Sequence, residues 1–447
     1  MNDDSEKEAK AIPQTSLGRA ARFLGTGVKL GGNYLSYLAK RPFSSEGGTE
    51  QLHEANAAAI YDSLSTLKGG ALKVLQMLSL DTGLLPDAYA DRFQLSQSCV
   101  PPLSFPLVLR VFQQTIGRSP SELFDSFSRT AVAAASMGQV HRATKEGKVF
   151  AVKIQYPGVA ASIDADLAMV RPVASLLFQV RDSDVAFFLE EVSARLKEEV
   201  DYTLELARGI EISRAAAHLE GLLFPVYYPE YSGKRVLTMD WLDGMHLSEF
   251  IASSPSQEIR NLVGQRLWDF YTFQLHTLRK AHADPHPGNF LFLSDGSVSI
   301  LDFGCVKEIP EQFYRSYFSL IRSDIRSNRT LLTELFESLS VIHPDDSPEE
   351  RSFFAAITEE LITLVARPFA QQHFDFSDPS YFAELTRRGE EISRMKEFRQ
   401  SRSARGPRDA LFLNRIFFGL YTMLHKIGAS IETKRPDWLQ EGAELMD

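Results

Sequence analysis

Residues 282–304 read His282-Ala283-Asp284-Pro285-His286-Pro287-Gly288-Asn289, then Phe290-Leu291-Phe292-Leu293, Ser294-Asp295-Gly296-Ser297, Val298-Ser299-Ile300-Leu301 and finally Asp302-Phe303-Gly304. Pro285, Pro287 and Gly288 exclude a helix through the first part, which must be a loop. The spacing predicts a strand over 290–293, a tight turn at Asp295-Gly296 and a return strand over 298–301. A hairpin brings the chain back to its starting end. Asp284 and Asn289 therefore enter where Asp302 leaves, and two carboxylates and one amide converge on a small volume.

That trio has a chemical reading. Asp284 can orient or deprotonate an attacking hydroxyl or water, while Asn289 and Asp302 can hold Mg²⁺ against nucleotide phosphates. This is the division of labour in phosphoryl transfer, where positioning and charge neutralisation supply the catalysis. A lone Asp-Phe-Gly would be adequately explained as a polar surface turn. The Asp-x-x-x-x-Asn one hairpin upstream favours the chemical reading.

The whole chain has 447 residues, 44% of them hydrophobic, enough for two or more packed units. Its 48 basic and 58 acidic residues leave a formal net charge of -10. Nothing in that balance suggests a nucleic-acid groove, which needs a clustered basic surplus. The two cysteines, Cys99 and Cys305, cannot build a disulfide framework or a zinc site, and point to a reducing compartment. The start, Met1-Asn2-Asp3-Asp4-Ser5-Glu6, resembles neither a transit nor a signal peptide. No run of 18 apolar residues occurs; the richest stretch, 410–424, is interrupted by Asn414 and Arg415. The expectation is a cytoplasmic protein, peripheral on the cytoplasmic membrane face, without a transmembrane helix.

Outward from residues 282–304, four regions are expected. Residues 1–50 form a charged tail followed by a segment, 17–41, in which Arg19, Arg22, Lys29, Lys40 and Arg41 interleave with apolar side chains and no acid intervenes. Two readings stand: an amphipathic helix on an anionic membrane surface, or an N-terminal helix docked on the domain. Residues 51–130 read as a helical extension. On it Lys73 and Gln76, three apart, share one face. Residues 131–242 turn to strands. Ala133, Ala134, Ala135 and Ser136, with Gln139 close behind, form a small-residue stretch that lets backbone approach phosphate. A turn at Lys145-Glu146-Gly147 leads to Phe150-Ala151-Val152-Lys153, whose lysine can pair with nucleotide phosphates when a carboxylate orients it. Helices are expected over 163–180 and 187–217, the second carrying Glu199, Asp201 and Glu205. Glu205 is the candidate partner of Lys153, and Glu199 with Asp201 would serve another cation. Residues 235–242 read as a strand with Met239 and Trp241 beside the adenine. Residues 243–447 are mostly helical, with helices over 257–280, 313–328, 331–341, 348–366, 379–398 and 410–428.

Together these motifs resemble the UbiB (AarF-type) family of atypical kinase-like proteins, and they run in family order from about residue 50 to 430. Ala133-Ala134-Ala135-Ser136 before Met137-Gly138-Gln139 is similar to the family's alanine-rich loop, and Lys153 to its nucleotide lysine. Glu199-Val200-Asp201 and Glu205 match its acidic motif and its helix glutamate. The resemblance implies an α+β, two-lobed protein-kinase-like fold with an N-terminal helical extension and a helical C-terminal lobe. It implies that Mg-ATP binds between the lobes, with ATPase activity and little protein kinase activity in trans. It also implies a role in ubiquinone and isoprenoid-lipid metabolism, with a quinone-precursor lipid and an anionic membrane as partners. In the family a Lys-x-Gly-Gln helix covers the site, its lysine meeting the acidic motif; here Lys73-Val74-Leu75-Gln76 has leucine in place of that glycine.

Two alternatives come from the same residues. A small-molecule kinase of the aminoglycoside or choline type also uses His-x-Asp-x-x-x-x-Asn, but fits less well with the Asp-Phe-Gly form. A nucleotide-gated scaffold or lipid chaperone would keep every one of these groups. Alanine reaches positive φ less freely than glycine, so an alanine-rich loop holds nucleotide in a narrower geometry. Ala135→Gly is expected to change ATP or ADP affinity; unchanged binding of both in a titration would contradict this.

Overall fold

The computed structural model describes residues 102–135, 137–178, 182–395, 397 and 405–433. The 1–50 segment, the helical extension with Lys73 and Gln76 up to residue 101, and Ser136 lie outside the described residues. The chain divides into two compact units, Met1–Arg208 with Val226–Trp241, and Gly209–Pro225 with Leu242–Asp447.

Among the described residues the first unit opens with helix α1 (Phe105–Ile116) and one turn, α2 (Pro120–Leu123), whose start is fixed by a capping box between Ser119 and Glu122. Strands β1 (Ser126–Phe127), β2 (Ala133–Ala135), β3 (Gly138–Lys145) and β4 (Lys148–Gln155) follow. Then come helices α3 (Val159–Phe178), α4 (Asp182–Glu199) and α5 (Tyr202–Ala215). The chain passes through β5 (Leu222–Leu223), which belongs to the second unit, and β6 (Val236–Asp240) completes the first sheet. That sheet is antiparallel, in the order β1-β3-β4-β6, with β2 also paired to β3. Phe112, Phe124, Phe127, Phe150 and Tyr231 form an aromatic cluster that buries one face of the sheet.

Two expectations change here. The alanine stretch is not an open loop: Ala133–Ala135 is strand, with Ala135 opposite Gly138. The long helix expected over 187–217 breaks at Val200-Asp201, because Asp201 caps a new helix rather than continuing the old one.

In the second unit, α6 (Leu247–Ala252) and α7 (Gln257–Phe273) lead to a π-type turn, Gln274–Leu278, and to β7 (Lys280–His282). Helix therefore stops before the expected end at 280. Strands β8 (Phe290–Phe292) and β9 (Val298–Ile300) form the hairpin read from the sequence, with Phe290 opposite Ile300. Strand β5 joins β9 in parallel, and β10 (Val306–Glu308) pairs back with β7. Helices α8 (Glu311–Ser319), α9 (Ser323–Ser327), α10 (Arg329–Ser338) and α11 (Pro348–Val365) follow. After these come β11 (His373–Asp375), α12 (Pro379–Arg394), α13 (Arg408–Ile427) and β12 (Ser430–Glu432), the last paired with β11. The single helix expected over 313–328 is two, α8 and α9. Helices α7 and α13 meet in the core of this unit, where Trp268 stacks on Tyr421 among Phe369 and Phe376.

One buried polar chain ties Leu103 to the sheet of the first unit. Leu103 N donates to Gln139 Oε1 at 2.7 Å, Gln139 Nε2 lies 2.8 Å from His141 Nε2, and His141 Nδ1 lies 2.8 Å from the Ser128 carbonyl. A carbonyl only accepts, so Nδ1 carries the proton and Nε2 accepts from the Gln139 amide. Protonation would set Nε2–H against that amide N–H, and burial already lowers the His141 pKa from the ordinary 6.5. The unfolded chain then takes up the proton first, so stability present above pH 6.5 is lost as pH falls below it. Urea unfolding of wild type should show this decline between about pH 7 and 5, and His141→Phe should be less stable at neutral pH but lose less on acidification. Parallel pH curves for the two proteins would contradict it.

Candidate active site

Lys153 sits in the middle of the first sheet, in β4, opposite Val140 on β3 and Leu237 on β6. Its backbone is held on both sides, and its Nζ donates to both carboxylate oxygens of Glu205 at 2.9 Å. The lysine is 7% exposed and the glutamate 1%. Glu205 lies in the first turn of α5, and Asp201 sets where that helix begins. Asp201 Oδ1 accepts from Thr203 N at 3.1 Å and from Thr203 Oγ1 at 2.5 Å, an N-cap of the kind worth about 1 kcal/mol. Gln155 Nε2 donates to Val200 O at 2.6 Å and ties β4 to the same helix start. The Tyr202 ring lies 5.1 Å from Lys153 Nζ, and its hydroxyl stands beside Gly138, where any Cβ would sit 2.7 Å from it. The same Cβ would lie 2.3 Å from the Ile154 backbone carbonyl oxygen, so a glycine is required at 138.

The other residues read as nucleotide contacts are placed as follows. Ala133, Ala134 and Ala135 line up on β2 against β3. Met239 is buried opposite Ala151, and Trp241 N donates to Val149 O at 3.0 Å, its indole carrying the Arg142 guanidinium at 5.4 Å. Gln139 is a correction: its side chain is 1% exposed and is used inside the unit by Leu103 and His141, so its amide does not serve a ligand. Asp201, read as serving another cation, caps α5 and lies 3.7 Å from Lys234 Nζ. Glu199 ends α4, half-buried.

In the second unit, backbone pairing assembles the catalytic segment. Ala283 N donates to Cys305 O at 2.9 Å, continuing the β7–β10 ladder past His282 opposite Val306. Leu301 N donates to Asn289 O at 3.0 Å, continuing the β8–β9 ladder. These two bonds bring Asp284, Asn289 and Asp302 to one end of the hairpin. Asn289 Nδ2 donates to Asp284 O at 3.0 Å and lies 3.3 Å from Asp284 Oδ2, and Asp302 Oδ1 accepts from Gly304 N at 2.7 Å. Phe303 is fully buried against Phe224 and edge-on to His282, which anchors the residue beside Asp302. Burial lowers the His282 pKa, opposed by the charges of Asp284 and Asp302, so the ring packs as a neutral group. Its backbone N–H donates to Gln274 Oε1 from the π-type turn, at 2.8 Å.

Sequence reasoning missed Arg415. It donates from Nη2 to Asp284 Oδ1 at 2.7 Å from the middle of α13 and is 8% exposed. The available signal was its placement, with Asn414, inside the most apolar stretch of the chain.

Oxygen donors suit a hard divalent cation. Asn289 commits its amide nitrogen to Asp284, which turns its carbonyl oxygen away, and Asp302 contributes a carboxylate. Among the described residues no three His, Cys, Asp or Glu side chains are grouped to hold a metal. Two protein oxygens completed by phosphate and water oxygens is how Mg²⁺ is commonly held, so the residues fit it.

A lysine–glutamate pair on an antiparallel sheet, and Asp-x-x-x-x-Asn with Asp-Phe-Gly on a hairpin, define a kinase-like protein. The ABC1 atypical kinase-like domain matches residues 95–378, and the chain belongs to this ABC1 (UbiB/AarF) family. It is 31% identical over 328 residues to an aarF domain-containing protein kinase, chloroplastic, of Arabidopsis thaliana, covering 71% of this chain and 45% of that protein. It is 29% identical over 386 residues to the atypical kinase COQ8B, mitochondrial, of Rattus norvegicus, covering 83% of this chain and 71% of that one. A solved structure described as the complex of Rv3197 with erythromycin, from Mycobacterium tuberculosis, is 28% identical, with a TM-score of 0.59 over 90% of this chain and 98% of that one. The chain spans less than half the length of the Arabidopsis relatives named ACTIVITY OF BC1 COMPLEX KINASE 8 (40%) and the aarF protein above. No described helix is long and apolar enough to cross a membrane.

Removing one member of a buried ion pair strands the other charge and costs about 3–5 kcal/mol. Glu205→Ala should therefore lower the melting temperature of the first unit markedly in calorimetry. An unchanged melt would show that Lys153 does not depend on Glu205.

Proposed function

We propose that this protein binds Mg-ATP and cleaves its γ-phosphoryl group, by hydrolysis or by transfer to a small acceptor. Lys153 neutralises the α- and β-phosphates, and Glu205 holds Lys153 in place. The alanine strand and the Met239–Trp241 segment contact the nucleotide through backbone and apolar surface. Asn289 and Asp302 would hold the cation, which would supply charge neutralisation for the triphosphate. Asp284 positions the attacking hydroxyl. In hydrolysis the water oxygen bonds to the γ-phosphorus, and the bond to the β–γ bridging oxygen breaks with its electron pair leaving on ADP. One water proton stays on inorganic phosphate and the other is released. The observation that carries this reading is the bidentate Lys153–Glu205 pair at the centre of the sheet. A buried lysine with both carboxylate oxygens fixed on it is the arrangement phosphoryl transfer uses to hold phosphates.

On this reading the chain acts in ubiquinone or isoprenoid-lipid metabolism at a membrane surface, attached peripherally through residues 17–41, with a quinone-precursor lipid as partner. By its resemblance to the family's covering motif, Lys73-Val74-Leu75-Gln76 is proposed to shield the site, with Lys73 as the partner of Glu199 and Asp201. Membership of the ABC1 (UbiB/AarF) family, with COQ8B among the relatives, supports the metabolic setting.

ATP hydrolysis should be measured with and without anionic liposomes and phenol-like quinone precursors. Loss of cation-held charge stabilisation, several kcal/mol, predicts that Asp302→Asn lowers turnover by about 100-fold or more. Turnover that ignores Asp302 would remove the enzymatic reading.

A further inference from the structure

Helix α13 touches the catalytic segment along one face. Asp409 Oδ1 takes Lys307 Nζ at 2.6 Å, just beyond the Asp-Phe-Gly, and the Phe412 ring lies 5.2 Å from the same ammonium. Arg415 reaches Asp284. One turn on, Gly419 lies so close to the catalytic loop that an added Cβ would come within 2.9 Å of Pro285 Cβ and 3.2 Å of its carbonyl oxygen. Positions 412, 415 and 419 share a face at three- and four-residue spacing. Tyr317 OH donates to Asn414 Oδ1 at 2.6 Å and holds the helix from α8.

A buried arginine in an apolar helix is expensive to desolvate, and an apolar residue of similar size would pack there at lower cost. What Arg415 supplies instead is geometry. Asp284 is held from two sides, Oδ1 on the guanidinium and Oδ2 facing the Asn289 amide, whose nitrogen also bonds the Asp284 carbonyl. The carboxylate plane is thereby set, and with it the orientation of the Asn289 side chain.

We infer that Arg415 is a positioning residue for phosphoryl transfer, the anchor of a relay Arg415–Asp284–Asn289 that aims both the nucleophile-orienting carboxylate and the cation-binding amide. This rests on the phosphoryl-transfer reading above. It makes helix α13 part of the active site, with Gly419 as the contact that lets it approach.

The test compares Arg415→Met, Arg415→Lys and Gly419→Ala with wild type and Asp302→Asn in the full chain. The readouts are kcat, nucleotide affinity by titration, melting temperature, and amide exchange over residues 283–291. Arg415→Met should lower kcat by about 10- to 100-fold, within the range of lost positioning, while nucleotide affinity stays within twofold and exchange over the loop accelerates. Arg415→Lys keeps charge without the planar fork and should fall between. Gly419→Ala should lower kcat with the arginine intact. If wild type shows Asp302-dependent turnover and Arg415→Met retains wild-type kcat, the inference fails while the enzymatic reading stands. A kcat loss matched by equal losses of affinity and melting temperature would overturn it too, since that describes collapse of the fold. If wild type shows no Asp302-dependent turnover, the enzymatic reading fails and takes the inference with it.

Discussion

Two stretches of backbone pairing make the catalytic segment possible. The β7–β10 ladder is extended by the bond from Ala283 to Cys305, and the β8–β9 ladder by the bond from Leu301 to Asn289. Each ends one residue short of an acidic side chain. Backbone hydrogen bonds of this kind fix register, and register fixes which side chains meet. Asp284, Asn289 and Asp302 are neighbours because these ladders stop where they do. Buried Phe303, wedged against Phe224 and His282, then prevents the Asp302 peptide from turning over.

The first unit follows the same logic with a charge. Lys153 could extend in many directions from a strand, and Glu205 selects one. The glutamate in turn depends on where its helix starts, which Asp201 sets through Thr203 and Gln155 reinforces through Val200. The pair is a matter of orientation more than of stability, because desolvating two charges offsets most of their attraction. The residues around it, Tyr202 and Gly138, are shaped to the same end.

Much of this was legible from local signals. Prolines and the Asp-Gly turn announced the hairpin, and Lys145-Glu146-Gly147 announced the β3–β4 turn. Those signals act over a few residues, and turn chemistry is local. The pairing of Lys153 with Glu205 was read from the order of motifs along the chain. What escaped the sequence depends on distant contacts. Arg415 lies 131 positions from Asp284, and no periodicity links them. Gln139 was read as polar and near phosphate, but its amide is consumed by Leu103, 36 positions upstream. Asp201 reads in the sequence as an acid serving another cation; its role as a cap shows only where the helix breaks.

Lys153 and Asp302 lie in different compact units, and the proposed function requires that they act on the same nucleotide. An experimental structure with Mg²⁺ and a non-hydrolysable ATP analogue tests it most directly. The account predicts Lys153 Nζ within hydrogen-bond distance of the α- and β-phosphate oxygens, and oxygens of Asn289 and Asp302 about 2.1 Å from the Mg²⁺ on that analogue. A nucleotide bound through one of these groups, with the other facing solvent, would contradict it.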